Sequence, residues 1–570
     1  MEVDKNSFLL TKWQPIEILL ALLFLVSPFY FQPSLGGKGL ELPFNFGVWA
    51  VVSVVIFCAL LTVIKSKKLY LPKHYAAIIA FPILIMLSGI LAGVISPIEW
   101  FFRQVYIITG VLFLLSLFQY EKNLNINRIL FLIIVSTFLQ SIVAVLQINQ
   151  SSFMSGWYFQ SLSVVPRGVF QQVNVLATYL VSGILIAFYV QGKDYIIHSS
   201  VYLRSTLIAV IGFNSYVVIA TGSRIGLLSL GLGLLMMFFF QRKNFRKNYL
   251  FIVLSLCALF IGGYIAKDGL DTTTDKSASL VDQQYADARM SIYAISLEAV
   301  NQSPIYGHGI GGFLKAWNEQ AGSFHQQHKN AAMPDYIKHP HNEILFWSIE
   351  GGLISVVGIL SALMAIGIAI YRQGVEQGGA YLALILPIGL HTQVELPFYI
   401  SSLHWFLWLF LIYMILTNST ISKTVSLSRA VTRLIKASAV ALLLMSNYML
   451  INTARAQLDI YRFVKQQGEP PYLQIALSNL YTLPYAEQLA MRSKLYSSIE
   501  KRNFQQIHNY LTWAEKYILL RPELKMYEDS INAYIALDDE ENKCRVINEA
   551  HKSYPINEVI QQLRGECLKK

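Results

Sequence analysis

The sequence predicts an all-α polytopic membrane protein with about 12–13 transmembrane helices, a large outward loop and a helical C-terminal domain, and three observations predict it. Apolar runs of about 20 residues, enough to span a hydrocarbon core, recur along most of the chain. Charged residues make up only 14% of the chain, against about 25% in a globular domain, while 54% of residues are hydrophobic and the mean hydropathy is +0.46. Lysine and arginine gather in alternate connections between the runs. One such run could be a buried core helix; about a dozen in a single chain could not.

The candidate spans lie near 15–31, 44–64, 75–95, 101–119, 128–147, 175–190, 204–221, 224–241, 249–266, 343–370, 379–395, 402–417 and 437–453. The N-terminal "MEVDKNSFLLTKW" leads into the first run without a small-residue cleavage site, which predicts a retained span rather than a removed signal peptide. With the N-terminus in the cytoplasm, the cytoplasmic connections hold "KSKKLYLPK", "QRKNFRKN" and the group Lys423, Arg429, Arg433 and Lys436. The short loops on the other side then hold only Lys38, Arg103, Arg167 and Arg224, which is the positive-inside asymmetry. The net charge of +11 therefore comes from short inter-helix loops rather than one basic face, and this excludes nucleic acid as a partner.

That topology turns two large polar segments outward, the loop 267–342 and the tail 454–570. A connection as long as the first is a candidate active-site loop. The tail is much richer in charge than residues 1–453 and is read as a separate domain with helical periodicity, as in "NFQQIHNYLTWAEKYILLRPE". Pro484, Pro522 and Pro555 each follow a helical run at a spacing like that of tetratricopeptide helix-turn-helix repeats, with a plain helical bundle as the alternative. Cys58 and Cys257 fall inside spans and read as packing residues. Cys544 and Cys567 fall in the outward tail, where an oxidising compartment allows them to pair, and closing that loop would contribute roughly 3 kcal/mol.

Polar side chains cluster at the outer ends of the spans. Arg224, in "TGSRIG", sits between two spans with almost no loop, where a charge is costly unless it meets a cavity, an interface or an anion. Guanidinium matches phosphate oxygens with a fixed fork, so Arg224 is either a phosphate ligand or a snorkelling residue. Arg289 lies near the start of a helix predicted from the spacing of Met290, Tyr293, Ala294 and Leu297, with a solvated surface arginine as the alternative. Pro304 and the glycines Gly307–Gly312 end that helix and read as turn chemistry rather than a dinucleotide loop, because no strand precedes them.

In "PRGVFQQVNVLATYL", Arg167, Gln171, Gln172 and Asn174 crowd the mouth of the sixth span, able either to hydrogen-bond sugar hydroxyls or to cap the helix, with Asn174 a good N-cap. His391 and Glu395 are four residues apart and share a helix face. In "HPHNEILFWSIEGGL", Pro340 pushes His339 out of helical geometry, and His341 or Asn342 begins the span. A neutral imidazole there is a competent general base. The other readings are a structural histidine and a zinc site, for which His-x-His has fair spacing but no cysteine or third ligand nearby in sequence.

Together these segments resemble a known family. "HPHNEILFWSIEGGL" is similar to the His-x-His-Asn…Glu-x-Gly signature of the O-antigen ligase and polymerase superfamily, and "TGSRIG" and "DARMSIY…PIYGHGIGGF" to its two arginine-bearing segments. "RGVFQQVNVLATYL" and "HTQVELPFY" resemble a narrower branch, the PglL-type bacterial protein O-oligosaccharyltransferases. Where that branch often has an aromatic residue after the glutamate, this chain has Leu396, with Tyr399 as the substitute.

The resemblance implies a metal-independent, inverting transfer of an oligosaccharide from undecaprenyl diphosphate to Ser or Thr of a periplasmic protein such as pilin, at a bacterial inner membrane and with no cofactor. It implies His341 as general base and Arg224 and Arg289 on the diphosphate, while Arg167, Gln172, Asn174, His339, Glu395 and Tyr399 would bind substrate. Glu350, about 13 Å further along the helix and on its opposite face, reads as a packing residue or as one that supports the site from behind. The alternatives are ligation to the lipid A-core and polymerisation of repeat units. A lipid-linked glycan transporter is the reading from another class; polar residues gathered on one side and in one loop argue against it.

Overall fold

The computed structural model describes residues 12–121, 123–151, 165–269, 288–334, 337–419, 423–465 and 473–568. Helix occupies each predicted span: α1 (Pro15–Ala21, continued by a π turn and a 3₁₀ turn to Phe29), α2 (Phe44–Ser66), α3 (Tyr75–Ala92), α4 (Pro97–Phe118), α5 (Ile126–Ile148), α6 (Val173–Gln191), α7 (Val201–Ala220), α8 (Arg224–Arg246) and α9 (Tyr249–Ile265). The loop 267–342 contributes α10 (Ala288–Gln302) and α11 (Phe313–Gln327). Then come α12 (Glu343–Arg372), α13 (Gly374–His391), α14 (Ser402–Ser419) and α15 (Arg429–Lys465), and the tail helices α16 (Leu483–Glu500), α17 (Phe504–Leu520), α18 (Leu524–Ala536), α19 (Glu540–Ser553) and α20 (Glu558–Cys567). Among the described residues, nine helices are long and apolar enough to cross a membrane and three shorter ones are apolar. The fold is that of an all-α polytopic membrane protein.

The chain divides into two compact units, one of residues 1–79, 108–277 and 362–454, the other of 80–107, 278–361 and 455–570. At the centre of the first is α6, which packs against α5, α7, α8 and α13 and is buried from Val175 to Gln191. Small residues let these helices approach, since lipid offers no hydrophobic drive between them. A Cβ on Gly183 would lie 2.2 Å from the Thr137 hydroxyl, and one on Gly226 would lie 2.7 Å from Ala177. Buried polar groups pair across helices: Ser141 donates to Asn214 (2.7 Å), Asn214 to Thr137 (3.0 Å) and Gln191 to Ser255 (2.9 Å).

Near the start of this unit Arg128 forms an ion pair with Glu17, each only 1% exposed. Glu17 also accepts the backbone N–H groups of Gln14 (2.9 Å) and Asn125 (3.0 Å), so its lone pairs are well used. Asn125 caps α5 by accepting from the Arg128 N–H at 3.2 Å. A two-stranded antiparallel ladder, β1 (Lys68–Leu71) with β2 (Lys423–Ser426), joins two of the lysine-bearing connections, pairing Lys68 with Ser426 and Leu71 with Lys423.

In the second unit the tail helices α16 to α20 pack in chain order, and the first helices of successive hairpins, α16 and α18, also touch. Leu495, Ile507, Tyr510, Ile531 and Ile547 form their core. Asp529, fully buried, accepts from Arg492 (2.5 Å) and Tyr496 (2.6 Å), linking α16 to α18. A disulfide joins Cys544 and Cys567, with Cα atoms 5.7 Å apart. The long loop before α12 is part of this core: α11 packs on α19, and Pro522 O accepts from both Asn318 (3.1 Å) and Tyr554 (2.6 Å).

Two expectations need correction. Arg103 is no loop residue: α4 begins at Pro97, so Arg103 lies inside a helix, 8% exposed. On α10 the helix is as predicted, but the buried face is Ser291, Ile292, Ile295, Ser296 and Ala299, while Met290 and Leu297 face outward. Spacing gives a stripe but does not say what covers it.

Removing one partner of a buried ion pair strands the other, at a cost of about 3–5 kcal/mol. Arg128→Met should therefore lower the thermal midpoint of the purified protein in detergent by several degrees, and adding Glu17→Leu should restore much of it. An unchanged midpoint in the single variant would show that Glu17 finds another partner.

Candidate functional site

The predicted site residues fall on two sets of elements, one in each unit.

In the first unit the segment before α6 is clamped by glutamines of α5. Gln147 Oε1 accepts from the N–H of Arg167 (3.0 Å) and Gly168 (2.8 Å), and its Nε2 donates to Gly168 O (3.1 Å). Gln171 then adopts a left-handed conformation (φ 59°), which turns the chain into the helix. The N-cap is Gln172, whose side-chain oxygen accepts from Val175 N–H at 2.6 Å, and not Asn174 as the sequence suggested. The turn at Gln171 starts the helix early, and Asn174 is left inside the first turn with its amide available for other contacts.

Those contacts bring four predicted or adjacent residues together. Glu395 Oε2 accepts from Asn174 Nδ2 (3.2 Å) and Gln172 Nε2 (3.5 Å), and Asn174 Oδ1 accepts from the Ser223 hydroxyl (2.7 Å). Ser223 in turn caps α8 by accepting from Gly226 N–H at 3.1 Å, and Arg224 is the first residue of that helix. The N-terminal ends of α6 and α8 thus meet through Asn174 and Ser223. Each carries about half a positive charge, and with Arg224 they make a region suited to an anion. Glu395 follows α13 through a turn, its N–H donating to His391 O at 2.9 Å, because the helix itself stops at His391. His391 is buried against Thr178, 2.9 Å from its hydroxyl. Tyr399 lies in a single helical turn, Pro397–Ile400, and is half-buried. Arg167 is exposed and lines a pocket of about 210 Å³ with Gln172, Gln171, Phe170, Gly36 and Ile400.

In the second unit the histidine segment precedes α12. Asn342 is its cap, accepting from Leu345 N–H at 2.9 Å, so His341 stands just outside the helix. His341 has φ 55°, a left-handed conformation uncommon outside glycine. Its N–H donates to His339 Nδ1 at 3.3 Å, and the two rings meet edge to face with centroids 4.5 Å apart. An Nδ1 that accepts a hydrogen bond carries no proton, which fixes the His339 tautomer and commits the nitrogen it would need to act as a base. Arg289 is the second residue of α10 and half-buried.

Sequence reasoning missed the support beneath this segment. α12 is broken at Gly352 (φ 60°, ψ −161°). The loop after α10 meets the break: His308 N–H donates to Ile349 O (2.7 Å), Gly309 N–H to Glu350 O (3.0 Å), and Leu353 N–H to Pro304 O (2.9 Å). The connection between α3 and α4 clasps the same loop from the other side, with Ile310 N–H donating to Gly93 O (3.2 Å) and Ile95 N–H to Ile310 O (3.2 Å). Glu350 accepts from Phe313 N–H (3.2 Å) and forms a buried ion pair with Arg103, which also binds Glu99 (2.6 Å). Arg521 of the tail reaches Ser96 (2.5 Å) and Glu99 (3.2 Å). The signal in sequence was the run of glycines: a Cβ on Gly352 would lie 2.2 Å from Ile305 O, and one on Gly307 would lie 2.6 Å from Glu350 C.

Gly352→Val should therefore detach the loop. Limited proteolysis followed by mass mapping should find cleavage between 303 and 313 in the variant, where the parent protein resists. Equal resistance in both would mean that the loop is held without the break.

Comparison with known families gives two matches, and each draws on residues of both units. Residues 207–360, which carry Arg224, Arg289 and His341, match the family described as O-antigen ligase. Residues 380–563, which carry Glu395, Tyr399 and most of the tail, match the family described as the C-terminal part of a virulence factor membrane-bound polymerase. Arg167, Gln172 and Asn174 lie outside both ranges. No curated protein matches the chain. The two family matches support placing this multi-pass membrane protein in the O-antigen ligase and polymerase superfamily.

Proposed function

We propose that the protein transfers an oligosaccharide en bloc from an undecaprenyl diphosphate carrier to a Ser or Thr hydroxyl of a protein such as pilin, on the periplasmic side of a bacterial inner membrane. The observation that carries this reading is the setting of His341. It precedes the Asn342 cap in a left-handed conformation, while the neighbouring His339 is committed through Nδ1. A serine hydroxyl is a poor nucleophile until a base accepts its proton, and His341 is assigned that role.

The acceptor oxygen attacks the anomeric carbon, the bond from that carbon to the diphosphate oxygen breaks, and the hydroxyl proton passes to His341. Undecaprenyl diphosphate leaves with the electron pair, and attack from the opposite face inverts the anomeric centre. Arg224, at the meeting of two helix N-termini, and Arg289 are assigned to the charge that develops on the diphosphate. Arg167 and Tyr399 are assigned to substrate binding. The contact of Gln172 and Asn174 with Glu395 joins the two segments that resemble the protein-glycosylating branch, and this supports a protein acceptor. A second reading, polymerisation of repeat units, is favoured by the C-terminal match to a polymerase family.

The purified protein should be incubated with lipid-linked glycan and either pilin or core lipopolysaccharide. Intact-mass analysis should show a glycan increment on pilin; an increment on lipopolysaccharide, or lengthening of the lipid-linked glycan alone, would replace this reading with ligation or polymerisation. General-base catalysis is worth about 10²–10⁴-fold, so His341→Ala should slow transfer by that factor without loss of folding. Normal transfer in a well-folded His341→Ala protein would move the base to His339. Charged hydrogen bonds contribute about 1.5–3 kcal/mol, so Arg224→Ala and Arg289→Ala should each lower kcat/KM for the lipid donor about ten- to a hundredfold. The KM for the acceptor should change little, and unchanged donor kinetics in both variants would remove the arginines from the diphosphate.

A further inference from the structure

One motif of the sequence is left without a role by the reading above. Met290, Tyr293, Ala294 and Leu297 form an apolar stripe on α10; Met290 and Leu297 are exposed, and Tyr293 and Ala294 are half-buried. At 3.6 residues per turn its direction is opposite to that of the buried face, Ile292, Ile295 and Ala299. Beyond the exposed polar residues Glu298, Asn301 and Gln302, Ile305 and Tyr306 are again apolar and exposed, and Met290, Leu297, Ile305 and Tyr306 are between 52% and 56% exposed.

The break in α12 places this surface. Residues 353–372 rise about 30 Å, which is the thickness of a hydrocarbon core, so the part of α12 beyond the break is long enough to span by itself. Exposure changes at the same point. Before Gly352, Phe346, Trp347, Ile349 and Glu350 are buried in the protein; after it, Leu353, Val357, Leu360 and Met364 are exposed, and the first charge is Arg372. Lipid-facing surface therefore begins at the break. Leu353, its first residue, donates its N–H to Pro304 O at 2.9 Å, which puts Ile305 and Tyr306 beside the start of that surface.

We infer that α10 and the turn after it form an interfacial element that rests its Met290–Leu297 stripe, with Ile305 and Tyr306, on the lipid bilayer. An amphipathic helix of this kind lies with its apolar face a few ångströms into the headgroup region, and tyrosine is favoured there. The stripe continues the lipid-facing surface of α12, which is why lipid rather than a soluble partner is its occupant. A consequence, resting on the function proposed above, is that Arg289 is held at headgroup depth, where the diphosphate of a membrane-bound donor lies.

The test uses the full-length protein in nanodiscs of phosphatidylethanolamine and phosphatidylglycerol. Cys58 and Cys257 are replaced by alanine, the Cys544–Cys567 disulfide is left oxidised, and single cysteines are introduced as Leu297→Cys, Ile305→Cys, Leu360→Cys or Lys516→Cys and labelled with an environment-sensitive fluorophore. Leu360 is the lipid-facing reference and Lys516, exposed on α17, the aqueous one. Doxyl-labelled lipids should quench the probes at 297 and 305 several-fold more than at 516, and iodide several-fold less. Iodide quenching at 297 and 305 equal to that at 516, with no doxyl quenching, would overturn the inference. So would shielding from both quenchers, which would mean that protein covers the stripe. The measurement needs no donor or acceptor, so an error in the proposed reaction would leave it unchanged.

Discussion

A buried backbone group without a partner is costly, and a broken helix creates several at once. The break at Gly352 is tolerated because another piece of chain takes up what the helix gives up. His308 and Gly309 donate to the carbonyls of Ile349 and Glu350, and Pro304 O accepts from Leu353. Glycine is required on both sides of this contact, at Gly307 and Gly352, because a Cβ would strike backbone at either one. Once the loop is seated it carries Phe313 to the Glu350 carboxylate, and Glu350 holds Arg103. Arg103 and Arg521 share Glu99, so the tail is fastened to the same framework. The histidine segment begins the helix to which all of this is attached.

The other unit solves a different problem, which is to bring polar groups together among apolar helices. Small residues along α6 and its neighbours allow close approach, and this brings the starts of α6 and α8 near enough for Asn174 to meet Ser223. Two helix N-termini and an arginine in one place would repel a cation and attract an anion. Glu395 is the anion of the protein itself that lies there, held by the amides of Asn174 and Gln172. Its contacts also account for the cap: Gln172 takes the capping role, which leaves the Asn174 side chain to bridge Glu395 and Ser223.

Much of the fold was legible in the chain because membrane spans are read from length and composition, which are local. The spans near 44–64, 128–147 and 343–370 became α2, α5 and α12, with ends displaced by a few residues. The segment His339–Asn342 was legible because proline before a capping residue and an apolar run is also a local pattern. Arg103 was not: it lies well inside the helix that begins at Pro97, and its buried ion pair is with Glu350, far away in sequence. Glu350 could be read only as packing or as support for the site, because its partner Arg103 lies far away in sequence and no spacing rule connects them. The stripe on α10 was visible as a stripe, yet periodicity is the same whether a face is covered by protein or by lipid.

The sequence by itself determined that this is an all-α membrane protein, which segments are helical, and which few polar residues stand at the ends of spans. These follow from the cost of placing backbone and charge in hydrocarbon, and that cost is set residue by residue. Tertiary structure decided which of two neighbouring histidines is committed to a backbone contact, which residue caps α6, and what fills the break in α12. Each of those depends on a hydrogen bond whose geometry a linear pattern does not carry; the first two are local, and those that fill the break join residues distant in the chain.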